Sequence, residues 1–313
     1  MIDRRQFVLA SGSCIAQLAL LPPSLRAALW SRSGPTTVVE PWGRIEPIGD
    51  LVWACISTPL ANDPDAGRTL SNGGIVAGKS GVLVVEGFAS DAGAQWMADR
   101  ARALTGRAPT HVVLTHYHGD HSNGLGGYGG AGESRPVFVT TTATRERLGT
   151  SRPPVAEVLA GAELVDGAVA HTIDLGGRRV TITPRSGHTA SDLTVMVDDP
   201  AVVFGGDLVW NGFFPNYVDA IPSVLSREVR AVGASTKGVI VPGHGAIPSR
   251  EDFAHYVALI DLIEDAARRA HAAGRSPTEA AAGLTVPPAL GEWTMFSPRY
   301  FQVALEAWER ELR

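Results

Sequence analysis

Only two of the 313 residues are cysteine, Cys14 and Cys55. Cys14 falls in an N-terminal stretch that reads as a removable address, which leaves one thiol. A disulfide within the mature chain is thereby excluded. A metal site built on several thiolates is excluded too, so any metal here must rest on histidine and carboxylate. Long apolar runs are also scarce. The stretch near the N-terminus extends for about fifteen residues, short of the ~20 that a spanning helix needs. The formal charge is −5 and no basic run stands out, so nucleic acid is not an expected partner. What is present in quantity is core-forming material: 44% of residues are hydrophobic and 19% charged. That suits one large domain or two small ones.

The N-terminus reads Asp3-Arg4-Arg5-Gln6-Phe7, then a mildly apolar stretch to Leu21, then Pro22-Pro23. Positive charge followed by a short apolar segment fits a secretory signal. The paired arginines before Phe7 resemble the bacterial twin-arginine signal. Ser, Gly and Gln in the apolar part, and Arg26 near its end, suit that route. The expectation is a signal over residues 1–30, cleavage near Ala27 or Ala28, export to the periplasm and no stable membrane span afterwards. The alternative, an ordinary core helix, is disfavoured because the two prolines end the segment early.

After a polar linker (31–44), short Val- and Ile-rich runs bounded by Gly, Asn and Asp predict strands. These are Ile48–Ile56, Gly74–Ala77, Val82–Val85, His111–Thr115 and Val137–Val139. Val169–Asp174, Arg179–Thr183, Leu193–Val197, Val202–Phe204 and Val239–Val241 follow in the second half. Asp91–Leu104 predicts a helix, with Asp91 as its cap and Gly106 as its stop. The chain thus divides into 31–250, two similar αβ layers packed face to face, and 251–313, C-terminal helices on the same domain. Phe253–His271 lacks Gly and Pro. Phe301, Leu305, Trp308 and Leu312 recur at helical spacing, which predicts a face turned to the core.

The chemistry concentrates in six residues. His116, His118, Asp120 and His121 directly follow the apolar Val112-Val113-Leu114. In extended backbone, side chains two apart point the same way, so His116 and His118 can face one ion. A turn into a helix would send Asp120 and His121 elsewhere, toward a second, with Gly119 permitting the turn. Burying such a set without a cation would leave polar groups unsatisfied.

Thr115-His116-Tyr117-His118-Gly119-Asp120-His121 resembles the signature of the metallo-β-lactamase superfamily. Gly187-His188-Thr189, Gly206-Asp207 and Pro242-Gly243-His244-Gly245 are similar to its later motifs, in order. The resemblance covers about residues 45–250 and implies an α+β fold, a four-layer αββα sandwich, here with extra C-terminal helices. It implies that His116, His118 and His188 bind a first ion, that Asp120, His121 and His244 bind a second, and that Asp207 bridges them. Zinc is the expected metal, with iron or manganese also compatible. Two such ions can share a water and lower its pKa toward ~7, and Asp120 is the candidate for orienting the resulting nucleophile.

The expected function is therefore hydrolysis of a small-molecule ester, thioester or lactone. β-Lactam hydrolysis is the alternative; the family's β-lactamases usually carry Cys or Ser where this chain has Asp207. A non-hydrolytic metal-binding or redox module is the second alternative. The stretch Phe204–Gly212 is similar to exported members found beside sulfur-oxidising and quinoprotein systems. Further expectations attach to single residues. Asp192 holds a ligand histidine by its second ring nitrogen. Tyr117 touches substrate or packs on the sheet. Gly124–Gly132 is a flexible loop beside the metals, and Thr58–Asn72 borders the cleft. Arg185, Lys237 and Arg299 are surface charges.

Overall fold

The computed structural model describes residues 38–57, 68–129, 134–295 and 297–313. The expected signal, its cleavage point and most of the 58–72 loop lie outside the described residues. Two sheets carry the fold. The first has eight strands in chain order: β1 (Val38–Glu40), β2 (Gly43–Gly49), β3 (Val52–Ser57), β4 (Gly73–Ala77), β5 (Val82–Val85), β6 (His111–Val113), β7 (Val137–Thr140) and β8 (Glu163–Leu164). Strands β1 to β5 meander antiparallel, then β5 to β8 run parallel. Parallel neighbours need a crossover, and helices supply it: α1 (Asp91–Thr105) before β6, the single turn α2 (Gly119–Ser122) before β7, and α3 (Thr142–Ser151) with α4 (Pro153–Val158) before β8.

The second sheet has five strands: β9 (His171–Asp174), β10 (Arg179–Arg185), β11 (Asp192–Val197), β12 (Val202–Phe204) and β13 (Val239–Val241). Strands β12 and β13 pair in parallel across helix α5 (Pro222–Ser235). Helix α6 (Arg250–Ala272), the short α7 (Pro277–Ala281) and α8 (Tyr300–Leu312) complete the chain.

Period-two alternation sorts the side chains into layers. Val82 and Val84 of β5 face α1, where Ala94, Met97 and Ala101 meet them. Leu83 and Val85 face the other way and join Val113, Val139, Ile182, Val195 and Phe204 in a seam between the sheets. On the far side, Val203 packs with Leu225 and Val229 of α5, Leu259 and Ile263 of α6, and Leu305 and Trp308 of α8. The order is helix, sheet, sheet, helix, as the resemblance implied. The predicted apolar face of the last helix packs on this core: Leu305 and Trp308 are buried in it, and the partly buried Phe301 and Leu312 lie against it.

Three corrections to local structure follow. The run Ile48–Ile56 is not one strand, because Gly49-Asp50 turn the chain and Leu51 takes φ +54°, so β2 and β3 form a hairpin. The linker begins to pair before residue 44, as β1 and the start of β2. The cap of α1 is Ser90, whose side chain accepts from the Gly93 N–H; Asp91 is the first helical residue, and Gly106 stops the helix in the left-handed conformation. There Asp91 favours the positive end of the helix dipole.

Candidate metal centre

All seven expected ligands converge at one end of the two sheets. Strand β6 delivers His116 and His118, with His118 still extended (φ −62°, ψ 151°) just before α2. The turn α2 then swings Asp120 and His121 away from them. The β10–β11 connection carries His188. Asp207 sits in the short helical turn Gly206–Leu208 after β12, and His244 follows β13. Gly243 makes the last approach possible, since a Cβ there would lie 2.0 Å from Asp207 Oδ1. Gly119 serves by smallness, with a Cβ 2.9 Å from the Arg152 guanidinium.

The donors fall into two groups, His116–His118–His188–Asp207 and Asp120–His121–His244, each with ligand atoms within 4.8 Å of one another. His188 Nε2 stands 2.9 Å from His118 Nδ1. Asp207 Oδ2 lies 3.2 Å from His188 Nε2 and 3.9 Å from His116 Nε2. Its other oxygen, Oδ1, lies 3.0 Å from His121 Nε2 and 3.4 Å from His244 Nε2. One carboxylate thus turns one oxygen to each group. Asp120 Oδ2 is 3.2 Å from His244 Nε2. His116 Nε2, His121 Nε2 and Asp207 Oδ1 are buried and make no aligned hydrogen bond. Such atoms are costly unless a cation satisfies them, so the donor set fits two divalent ions.

The electrostatics separate the histidines. Burial, reinforced by the neighbouring His121, holds His116 well below the usual imidazole range. Burial likewise lowers His188 to about 3. Both present neutral lone pairs. Burial acts the same way on His121 and His244 but is outweighed there. The charges of Asp207, Glu86 and Asp120 push His121 well above its ordinary value, and Asp207 together with Asp120 raises His244 to about 9.

A surrounding layer fixes the rings. Glu86 Oε1 lies 3.0 Å from His121 Nδ1 and accepts from the Thr115 hydroxyl at 2.6 Å. That hydroxyl is 3.0 Å from His116 Nδ1. Asp219 Oδ2 lies 3.0 Å from His118 Nε2, and its bond with His118 draws the Asp219 carboxyl down to about 2. Both carboxylates were invisible to motif reading: each is a lone residue far along the chain from the ring it supports. Asp192 corrects an expectation. It binds no ring nitrogen; its carboxylate accepts from the His188 and Thr189 backbone N–H groups and the Thr189 hydroxyl. It therefore shapes the loop that carries His188. Asn72 plays the same part for His244, donating to the carbonyls of Pro242 and Gly245 at 3.0 and 2.7 Å.

The two groups form the floor of a cleft of about 410 Å³. Its walls include Leu70, Trp210, Val218 and Tyr300. Trp210 stacks on His244 with ring centroids 4.2 Å apart. Leu70 bears out the expectation that the 58–72 loop borders the site. Tyr117 is half-buried, packed on the core beside β6 with Arg147 over its ring, and is not part of the wall. Gly124–Tyr128 is a packed turn against Ser90 and Asp91; residues 130–133 lie outside the described residues. Of the remaining histidines, His171 pairs with Glu163 and His271 with Glu309, away from the site.

The model of the family described as the Metallo-beta-lactamase superfamily matches residues 66–244, a span that contains both donor groups. Among solved structures, the metallo-beta-lactamase from Pontibacter korlensis is 21% identical with a TM-score of 0.57, covering 70% of this chain and 99% of its own. The DIM-1 metallo-beta-lactamase is 22% identical with a TM-score of 0.56, covering 70% and 97%. A metallo-beta-lactamase from Erythrobacter litoralis is 17% identical with a TM-score of 0.55, covering 72% and 98%. These likenesses concern the fold. The family match takes in more than half of the sequence, and this chain belongs to the metallo-beta-lactamase superfamily.

Proposed function

We propose that the protein is an exported hydrolase that uses two divalent cations, zinc foremost, to cleave an ester, thioester or lactone of a small molecule. The observation that carries this reading is Asp207, with one oxygen facing each donor group. His116, His118 and His188 would hold one ion and Asp120, His121 and His244 the other, with the Asp207 carboxylate between the two groups. When bound, such ions polarise the substrate oxygen and make water acidic enough to attack at neutral pH. Asp120 is the most open donor, with 31% of its side chain exposed. It is placed to orient the attacking water. Leu70, Trp210, Val218 and Tyr300 give the cleft apolar walls that hold an acyl group and exclude bulk water. Export rests on Arg4-Arg5-Gln6-Phe7 and the apolar stretch after them. No helix among the described residues is long and apolar enough to cross a membrane.

β-Lactam hydrolysis is a second reading, drawn from the names of the structural neighbours. Asp207 weighs against it, because a carboxylate spanning both groups suits the esterase-like members that the sequence resembles. The test is a screen of metal-loaded protein against aryl esters, thioesters, lactones, phosphodiesters and nitrocefin, with metal analysis of protein purified without added metal. Ester, thioester or lactone turnover that chelation abolishes, zinc restores and His118→Ala lacks is the expected result. Nitrocefin turnover as fast as ester turnover would reverse the ranking. Bound iron with redox activity and no hydrolysis would favour the non-hydrolytic module. Arg4→Lys with Arg5→Lys should keep the protein out of the periplasm.

A further inference from the structure

A second cavity of about 450 Å³ lies on the outer side of the cleft wall. The two cavities share Asn216, Val218 and Tyr300. The outer one is completed by Arg299, just before α8, and by Val303, Glu306 and Arg310 of its first three turns. Most of these residues come from a segment past residue 244, where the family match ends. That segment is nonetheless fastened to the metal centre. Thr294 donates to the Gly212 carbonyl and accepts from the Phe214 N–H, both at 2.9 Å, in the loop that follows Asp207. Trp308 and Leu305 anchor the rest of α8 in the core.

The charges of the outer cavity are unequal. Glu306 accepts from Gln302 at 2.7 Å. Arg310 leans on the Val218 carbonyl at 3.4 Å, which turns its guanidinium toward the shared wall. Neither Arg299 nor Arg310 forms an ion pair among the described residues. The lining thus holds two guanidinium groups against one carboxylate, in a chain whose overall charge is −5. Guanidinium groups bind carboxylates through paired hydrogen bonds.

We propose that this outer cavity binds the anionic far end of the substrate, a carboxylate in the simplest case, through Arg299 and Arg310, while the scissile bond lies over the metal groups. The inference rests on the hydrolase reading and narrows its substrate class to elongated acyl compounds with a negative terminus. Val218 and Tyr300 then flank the acyl chain where it passes between the compartments. Arg299, a surface charge on the sequence alone, becomes a specificity residue.

The experiment compares 4-nitrophenyl esters of ω-carboxy acids of graded chain length with esters of the matching unsubstituted acids. For at least one length, kcat/KM should favour the acidic ester by about tenfold at low salt, and the preference should shrink as salt screens the charges. Arg299→Gln with Arg310→Gln should bring the ratio near one. Arg179→Gln with Arg275→Gln, the same charge change at exposed positions elsewhere, should keep it. A ratio near one in the unaltered protein at every length, or a preference that survives the Arg299/Arg310 change, overturns the proposal. Calorimetric binding of adipate and butyrate to the metal-loaded protein separates the two readings. If no ester is cleaved but adipate binds more tightly than butyrate only when both arginines are present, the hydrolase reading fails and the outer cavity stands. Equal binding in that case sinks the cavity proposal as well.

Discussion

Replacing Glu86 by glutamine isolates the layer behind the ligands. Glu86 is buried, in an unusual backbone conformation for a residue with a side chain, φ +88°. Its N–H donates to the Val113 carbonyl at 2.9 Å, which locks it to the strand that leads into the histidine cluster. The carboxylate reaches the second donor group directly, through His121 at 3.0 Å. It reaches the first only through Thr115 and then His116. Glutamine keeps the size and one acceptor but loses the charge that helps set the His121 ring. Loss of such a partner typically lowers metal affinity by about 10–100-fold, which is roughly 1.4–2.7 kcal/mol. The effect should fall mainly on cation binding at Asp120, His121 and His244. Asp219→Asn is the counterpart, since it touches His118 alone among the ligands, and should weaken the other ion. Competition with a chromophoric chelator resolves the two binding steps, and thermal melts of the metal-free variants establish that they fold. Wild-type affinity at both steps in Glu86→Gln would refute the reasoning. So would equal weakening of both steps in both variants, which would mean that the two carboxylates do not act on separate ions.

Trp308 is fully buried, so Trp308→Ala should cost about 3–5 kcal/mol, read as a lower urea midpoint at unchanged slope; a loss below 1 kcal/mol would contradict the packing. Burial pushes the Cys55 thiol up to about 12, so in a Cys14→Ser background the native protein should resist a thiol reagent at pH 8 and react only once unfolded. Ser249 caps α6 in a reciprocal pair with Asp252, and Ser249→Ala should cost about 1 kcal/mol at pH 7. The hydrogen bonds from Ser249 hold the Asp252 carboxyl below its ordinary 3.8. The ionised partner's contribution is therefore complete above that value and fades as pH falls through the lowered one, and the cost of the substitution, followed by denaturation across this range, should shrink in step.

The ligands were legible because the cluster from His116 to His121 compresses four of them behind one apolar strand, and because His188, Asp207 and His244 each stand beside a glycine that marks a turn. The strands of the sandwich were legible where β-branched runs stop at Gly or Asp, as in Val82–Val85. Residues 48–56 misled because an apolar run on both sides of Gly49-Asp50 hides a hairpin. Helices α3 and α5 escaped because they begin among Thr, Pro and Ser rather than in an apolar-periodic stretch. Glu86, Asp219 and Tyr300 carry no local signal at all. Their meaning comes from tertiary placement, Tyr300 about 180 residues from the histidine cluster in a segment that sequence assigned to packing alone.

The two donor groups do not hang from one support. His116, His118, Asp120 and His121 descend from β6 of the eight-stranded sheet, whereas His188, Asp207 and His244 descend from the five-stranded one. Each donor group therefore straddles the two sheets, and the approach of its members is gauged by the apolar filling between the sheets, where Val113 and Val139 meet Val195 and Phe204. A side chain that touches no donor can set their reach. Packing in that seam behaves as a shim, and thinning it would detune the centre from within while every ligand stayed in place.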